Sequence, residues 1–297
     1  MHHGEITKDI AQGLKVLQQR IKQAKIPPSK LDETINIATW NVREFGRRPR
    51  RKASLHFIAE IIGQFDLVSI VEVRDNVNDL AEVLRYLGPY WHVVFSDYIT
   101  DHGGNHERIA YVYDRRAVAF TGLASEADPP RKKTKFGEYL PLISWWRSPY
   151  IASFRAGNFD FVLIAAHIRW GDSEEGRIPE LKLLADWVDR RSKEHFVEDK
   201  DIVLLGDFNI PSVGSELFKA MTSKGLRVPP ALLGVHGTDL AKGKRYDQIL
   251  HDPKYVKSFT KQGGVLDFYK GDHKDLYPGT KMTKREFTYQ LSDHLPL

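Results

Sequence analysis

The run Ile202-Val203-Leu204-Leu205 leads straight into Gly206-Asp207-Phe208-Asn209. An unbroken stretch of β-branched and leucine residues predicts a strand buried on both faces, which requires layers on either side of its sheet. Polar groups at the end of such a strand sit on a stiff support. The two-residue repeat of a strand predicts that Asp207 and Asn209 share a face. A carboxylate beside a carboxamide there suits holding a water or a metal next to an anion. Ordinary turn chemistry, closed by Pro211, explains the same two residues equally well. The rest of the chain has to decide.

The pattern recurs. Thr34 to Val42 alternates like a strand and ends in Trp40-Asn41-Val42-Arg43-Glu44-Phe45-Gly46. Asp66 to Val73 reads as a second buried strand, delivering Glu72 and then Arg74. A glutamate in an otherwise apolar strand is costly unless paired or metal-bound, and an ion pair with Arg74 is the structural alternative. Phe159 to Ile168 carries His167 at its polar end, followed by Arg169 and Trp170, and the chain closes on Ser292-Asp293-His294. A single histidine at a strand end is usually a satisfied core residue. Four buried strands that end in Asn41, Glu72, His167 and Asp207 with Asn209, plus Asp293 and His294, make coincidence a poor explanation.

Between these strands, apolar residues at helical spacing predict helices from about Leu55 to Gln64, Val77 to Leu87, Pro179 to His195 and Ser212 to Lys224. Further strands are predicted at Trp91 to Tyr98, Arg108 to Phe120, Tyr150 to Phe154 and Tyr246 to His251. Segments 128–140 and 265–286 read as loops, from their lysine, proline, glycine and charge. Ile10, Leu14, Leu17, Ile21 and Ala24 mark an amphipathic N-terminal helix that ends at Pro27-Pro28. The expected division is a helical extension over 1–33 and one catalytic-type domain over 34–297. The expected fold class is α+β, a four-layer α/β/β/α sandwich of two mostly antiparallel sheets flanked by helices.

Composition narrows the partners. With 41% hydrophobic and 28% charged residues the chain reads as soluble and globular. A net charge of +5 leans toward anionic partners. The lack of cysteine excludes disulfides and cysteine-ligated zinc. No apolar run reaches the roughly 18 residues of a membrane span, and no leader core stands at the N-terminus. A soluble monomer without stable membrane insertion is expected; its compartment stays open, secretion with a leader outside this sequence included.

The order and wording of these segments resemble the endonuclease/exonuclease/phosphatase superfamily, with deoxyribonuclease I-type enzymes nearest. The likeness runs from about Ile35 to the C-terminus. It rests on Trp-Asn-Val-Arg-Glu-Phe-Gly at 40–46, Glu-Val-Arg-Asp at 72–75, Glu107-Arg108, Gly-Asp-Phe-Asn at 206–209, Tyr246-Asp247 and Ser-Asp-His at 292–294. The resemblance implies Glu72 as a ligand of a divalent metal, with Asn41 and Asp293 close by. It implies two catalytic imidazoles, His167 oriented by Glu107 and His294 oriented by Asp247. Asp207 and Asn209 would align the attacking water and hold the scissile phosphate, with Arg43, Arg74 and Arg147 on phosphate. At Asn105 the family's nuclease members carry a DNA-contacting tyrosine, so this position is a departure.

Such a site fits phosphodiester hydrolysis, in which an oxygen-ligated Mg2+ or Mn2+ offsets charge repulsion and imidazoles near neutrality move protons. Calcium as a structural ion is a further expectation. The leading expectation is a metal-dependent endonuclease acting on DNA with little sequence specificity, leaving 5'-phosphate and 3'-hydroxyl ends. Basic loops at Arg47 to Lys52 and Arg131 to Lys135 would follow the backbone. The alternative keeps the chemistry and exchanges the substrate for a phospholipid or small phosphoester, as in sphingomyelinase-like members. A binding module that has lost catalysis is disfavoured, because every matched position is filled.

Overall fold

The computed structural model describes residues 1–100, 103–141 and 143–297. In chain order its elements are α1 (Lys8–Ala24), β1 (Ile37–Phe45), α2 (Lys52–Ile62), β2 (Leu67–Val73), α3 (Asn78–Leu87), β3 (Trp91–Phe95), β4 (Arg108–Asp114) and β5 (Ala119–Glu126). There follow β6 (Arg131–Lys133), β7 (Tyr139–Pro141), β8 (Tyr150–Ala156), β9 (Phe159–His167), α4 (Ile178–Lys193), β10 (Ile202–Asp207), α5 (Glu216–Met221), β11 (Asp247–His251) and α6 (Lys284–Gln290).

Two mixed sheets stack face to face. One has the order β1-β2-β4-β3 and the other β11-β10-β9-β8-β5. The pairs β1–β2 and β9–β10 are parallel and the remaining pairs antiparallel. The period of two decides which residues enter which core. In β2, Leu67 and Val71 face the second sheet, while Val68 and Ile70 face the helices. In β4, Ile109, Tyr111 and Tyr113 face inward and Ala110 and Val112 outward. Helices α1, α2 and α3 cover the first sheet and α4 and α5 the second, which gives the four-layer sandwich.

Helix α1 begins at a Thr7 cap that accepts from the Ile10 N–H, and it buries Ile10, Leu14, Leu17 and Ile21 in the same core as Trp40 and Phe57. Its buried Arg20 donates to the carbonyls of Phe268, Tyr269 and Asp272 at 2.8–2.9 Å. Segment 266–277 is therefore tied to α1 through backbone carbonyls that no strand satisfies.

Four expectations differ from the structure, the first being the loop expected over 265–286, whose last residues open the Thr283-capped α6. The single strand expected over Arg108 to Phe120 is two strands in different sheets, because a turn at Asp114, capped by Arg116, carries the chain across the sandwich. The segment expected as a loop over 128–140 contains the hairpin β6–β7. Its strands are three residues each and fully exposed, so no apolar alternation announces them. Asp207 and Asn209 are related by a turn rather than by strand alternation. Strand β10 stops at Asp207, Asn209 has φ +52°, and the Asp207 Oδ1 accepts from the Asn209 N–H at 2.9 Å.

Candidate active site

The C-terminal ends of β1, β2, β9 and β10 open on one edge of the sandwich, and the polar residues that end them meet there. Asn41, buried in β1, donates through Nδ2 to Glu72 Oε1 at 2.8 Å and to Asp207 Oδ2 at 3.0 Å. One carboxamide thus links the acids of both sheets.

Glu72 reaches this position through a β-bulge. The register of β2 slips between Ile70 and Val73, and Glu72 takes φ +63°. A bulge re-aims a side chain that a regular strand would bury in a layer, and a non-glycine residue in the left-handed region stores strain. The Glu72 Oε2 accepts the Glu44 N–H at 2.8 Å. Burial pushes its carboxyl up, but the charge on His167, the Asn41 amide, the Glu44 N–H and the charge on His294 bring it down to about 2.

Gly206 explains the sequence of β10. It has φ +138°, and a Cβ there would lie 2.0 Å from the Ala166 carbonyl oxygen, so only glycine lets β10 approach β9 at this level. Asp207 then pairs in register with His167 on one side and Asp247 on the other.

Both histidines are aimed by carboxylates. The His167 Nδ1 lies 2.7 Å from Glu107 Oε2, and the His294 Nδ1 2.7 Å from Asp247 Oδ2. Their Nε2 atoms point at the same acceptor, Asp207 Oδ2, from 3.8 Å and 3.7 Å. Burial lowers the His167 pKa and Arg147 lowers it further, but Glu107 and Asp207 together raise it. Burial also works against the His294 imidazolium, yet Asp247, Asp207 and Asp293 hold its pKa well above the ordinary value. The segment that carries His294 is pinned from two sides. The Ser292 hydroxyl donates to the Asn41 carbonyl at 2.6 Å, Trp40 Nε1 donates to the His294 carbonyl at 2.8 Å, and the Leu295 N–H donates to the Thr238 carbonyl at 2.6 Å.

The remaining expected residues are close by, in different company. Asp293 lies 3.1 Å from Arg43, whose guanidinium also donates to Thr288 Oγ1 at 2.6 Å and covers the Tyr289 ring at 4.1 Å. Arg74 is buried, bonds the Asn105 carbonyl and lies 3.7 Å from Glu107. Arg147 is buried too, with Nε 2.9 Å from Glu107 Oε2 and Nη1 donating to the His167 carbonyl at 3.3 Å. Asn105, at φ +58°, has its Nδ2 3.4 Å from Glu107 Oε1. The Asn209 Nδ2 donates to the Ile168 carbonyl at 2.7 Å. Sequence reasoning missed the backing residues Glu44 and Ser292, although both stand inside the motifs it singled out.

Oxygen donors for a cation are present. Among the described residues Asn41 Oδ1 is buried and meets no hydrogen-bond donor, beside the ionised Glu72. Buried acceptors are rarely left so, and an amide oxygen next to a carboxylate suits a hard divalent ion. Asp207, Asp247 and His294 form a second group that offers ligand atoms within 4.8 Å of one another. Asp247 Oδ1 in that group is likewise buried without a donor, so each side offers an oxygen that a cation could take.

A family model described as "Endonuclease/Exonuclease/phosphatase family" matches residues 38–294, which hold both sheets from Ala38 onward and every residue of this edge. The chain belongs to that family. It is 29% identical to a deoxyribonuclease of Thioalkalivibrio sp. over 198 residues, which cover 62% of this chain and 48% of that protein. It is 26% identical to deoxyribonuclease gamma of Mus musculus over 288 residues, covering 89% of this chain and 83% of the relative. The chain thus spans about half the length of the bacterial relative and most of the mouse one. Among solved structures, the fold is shared with a conserved protein of unknown function from Enterococcus faecalis at TM-score 0.59 and 19% identity, with 88% of this chain and 97% of that one covered. It is shared as well with a mannosyl-6-phosphatase of Bacteroides thetaiotaomicron at TM-score 0.58 and 17% identity, with 89% and 97% covered.

Proposed function

We propose that this protein is a divalent-metal-dependent endonuclease that hydrolyses DNA phosphodiester bonds with little sequence preference, leaving 5'-phosphate and 3'-hydroxyl ends. The observation that carries the reading is the convergence of two imidazole Nε2 atoms and the Asn41 amide on a single oxygen, Asp207 Oδ2. The deoxyribonuclease relatives support DNA as the substrate.

Glu72 and the Asn41 Oδ1 would hold Mg2+ or Mn2+, with Asp293 at the margin; bound there, the ion would offset the charge that develops on the phosphoryl oxygens. The chain's own groups do the rest. His294, held protonated by Asp247, is a donor rather than a base near neutrality, and its Nε2–H is placed to bond a phosphoryl oxygen. His167, whose ring Glu107 fixes, lies on the opposite side of Asp207 and is placed to give its Nε2 proton to the leaving 3'-oxygen as the P–O3' bond breaks and the water oxygen bonds to phosphorus. Asp207 Oδ2, which lies between them, is then the acceptor for the proton of the attacking water. Asn41 holds that carboxylate toward the reacting centre, and the Asn209 Nδ2 bond to the Ile168 carbonyl ties the turn after β10 to the residue that follows β9.

The experiment is nicking of supercoiled plasmid in Mg2+ against EDTA, followed by end-labelling. Metal-dependent nicking with ends that accept a ligase without prior phosphorylation is the expected result. No nicking under saturating metal overturns the reading.

A second reading, hydrolysis of a phospholipid head group at the same site, draws on the hairpin β6–β7. Phe136 is 80% and Tyr139 61% exposed there, beside Lys133 and Lys135. Exposed aromatics with lysines suit a membrane interface. Sphingomyelin vesicles in parallel with plasmid separate the two.

A further inference from the structure

Trp170 stands three residues beyond His167 and is 58% exposed. One side of its ring is occupied by the Arg177 guanidinium, 4.9 Å from the ring centroid. Arg177 is 3% exposed, and its Nε and Nη1 meet no hydrogen-bond partner among the described residues. Its nearest carboxylate oxygen, on Glu174, is 3.9 Å away. Burying a guanidinium with donors unmet is unfavourable. The indole is the partner it packs on, so its effect is to hold that ring in place.

Tyr246 links the fixed ring to the reacting groups. Tyr246 packs at right angles to Trp170 with centroids 5.5 Å apart, and the same tyrosine lies 5.9 Å from the His294 ring. Tyr246 is itself fixed by strand register, since the next residue, Asp247, opens β11 and holds His294. An aromatic path therefore runs outward from the imidazole that faces Asp207, over a span on the scale of one or two nucleotides. A second exposed indole, Trp146 at 46%, carries Arg169 over its ring at 4.0 Å, so the surface beside His167 holds two indoles that are each braced by an arginine.

We infer that Trp170, braced by Arg177 and flanked by Tyr246, is a stacking subsite for an unpaired base next to the scissile phosphate, so that the enzyme prefers single-stranded or locally opened DNA over intact duplex. An open indole face can stack only on a base whose own face is free. In a duplex both faces are covered by neighbouring pairs, whereas in a single strand any base can supply one, which makes such a platform tolerant of sequence. The inference rests on the proposed nuclease function, and it adds strand preference to it. Arg177 is a positioning residue.

The test is fluorescence anisotropy in EDTA, which prevents cleavage, with a labelled single-stranded dT oligonucleotide and a labelled duplex. Trp170→Ala is expected to weaken single-strand binding roughly tenfold, the scale of one lost base–aromatic stack, and duplex binding by less than about twofold. Trp170→Phe keeps a ring and is expected to restore most of the difference. Arg177→Met is expected to lower the single-strand to duplex affinity ratio, which a merely structural role would leave unchanged by weakening both equally. Equal losses on both substrates, or none, overturn the inference. So does loss of binding to sphingomyelin vesicles with DNA binding intact, because it assigns the indole to a lipid surface. Plasmid nicking by the wild type separates the two levels. If the wild type neither binds nor nicks DNA, the nuclease reading fails; if it nicks and Trp170→Ala keeps the wild-type ratio, the subsite alone fails.

Discussion

Asn41 donates to Asp207 Oδ2 at 3.0 Å while it donates to Glu72 Oε1 at 2.8 Å, so a side chain of the first sheet orients an acid of the second. The geometry of the site therefore depends on the packing of the two sheets and on this one amide. Asn41→Ala is expected to lower kcat on plasmid roughly a hundredfold, the scale seen when one preorganised donor is removed. It should cost about 1–3 kcal/mol of stability, because the buried Asp207 and the half-buried Glu72 each lose a donor. Urea denaturation alongside the kinetics separates the two effects. Wild-type kcat in this variant would show that Asp207 needs no such guide.

Arg147 provides a test that discriminates between structural and DNA-binding roles. Arg147 is 8% exposed, and its guanidinium is committed to Glu107 and the His167 carbonyl. Removing one partner of a buried pair leaves the other uncompensated, so Arg147→Met is expected to lose about 3–5 kcal/mol. The salt dependence of DNA binding should keep its wild-type slope. Lys132→Ala, on the exposed hairpin, should do the reverse, with a slope smaller by about one and stability unchanged. A reduced salt slope in Arg147→Met would return that residue to the phosphate.

These arginines mark where sequence reading stops. The buried strands could be read because period and apolar run are local properties, and the polar residues at their ends were therefore visible as a set. Asn41, Glu72, His167, Asp207, Asp247 and His294 fall within one connected network. For the long side chains only the resemblance implied a role, and neither period nor apolar run says what they bond. Arg43, Arg74 and Arg147 each reach a carboxylate or carbonyl supplied by a distant segment, at separations that only the tertiary fold brings together. The bulge at Glu72 was hidden for a related reason. Val71-Glu72-Val73 alternates like any strand, and nothing in that alternation marks the positive φ at Glu72. Likewise the crossing at Asp114 follows a strand pattern that continues on both sides of it.

The Asp247–His294 pair makes a prediction in pH. Burial lowers the His294 pKa, but Asp247 and the neighbouring acids raise it well above 6.5. A histidine whose folded pKa exceeds its unfolded value contributes stability that is fully present below the unfolded pKa, about 6.5, and is lost as pH rises through the folded value. Asp247→Asn removes the largest favourable partner, so burial then acts with less opposition. His294 in that variant should titrate lower by NMR, and the loss of thermal stability in alkali should begin at lower pH than in the wild type. Both are to be measured in chelator, so that no bound ion contributes. An unmoved His294 titration in Asp247→Asn would mean that another acid sets its charge.

Glu72 is the sharpest test of the cation site. Its backbone is held at φ +63°, and its carboxylate, brought to about 2 against burial, stays ionised throughout the neutral range. Glu72→Gln keeps the shape and can still accept the Glu44 N–H through its amide oxygen. It removes the charge that would bind a divalent ion, and with it the second acceptor oxygen, the one that takes the Asn41 Nδ2–H. A ligand that binds only the folded state raises the melting temperature with concentration. Mg2+ should therefore stabilise the wild type, and about tenfold more should be needed for the same shift in Glu72→Gln, with half-maximal activation moved in parallel. The thermal shift reads the ion directly, whether or not DNA is the substrate. Equal shifts in the two proteins would move the ion to Asp207, Asp247 and His294, and Asp247→Asn would then abolish the shift that Glu72→Gln had left untouched.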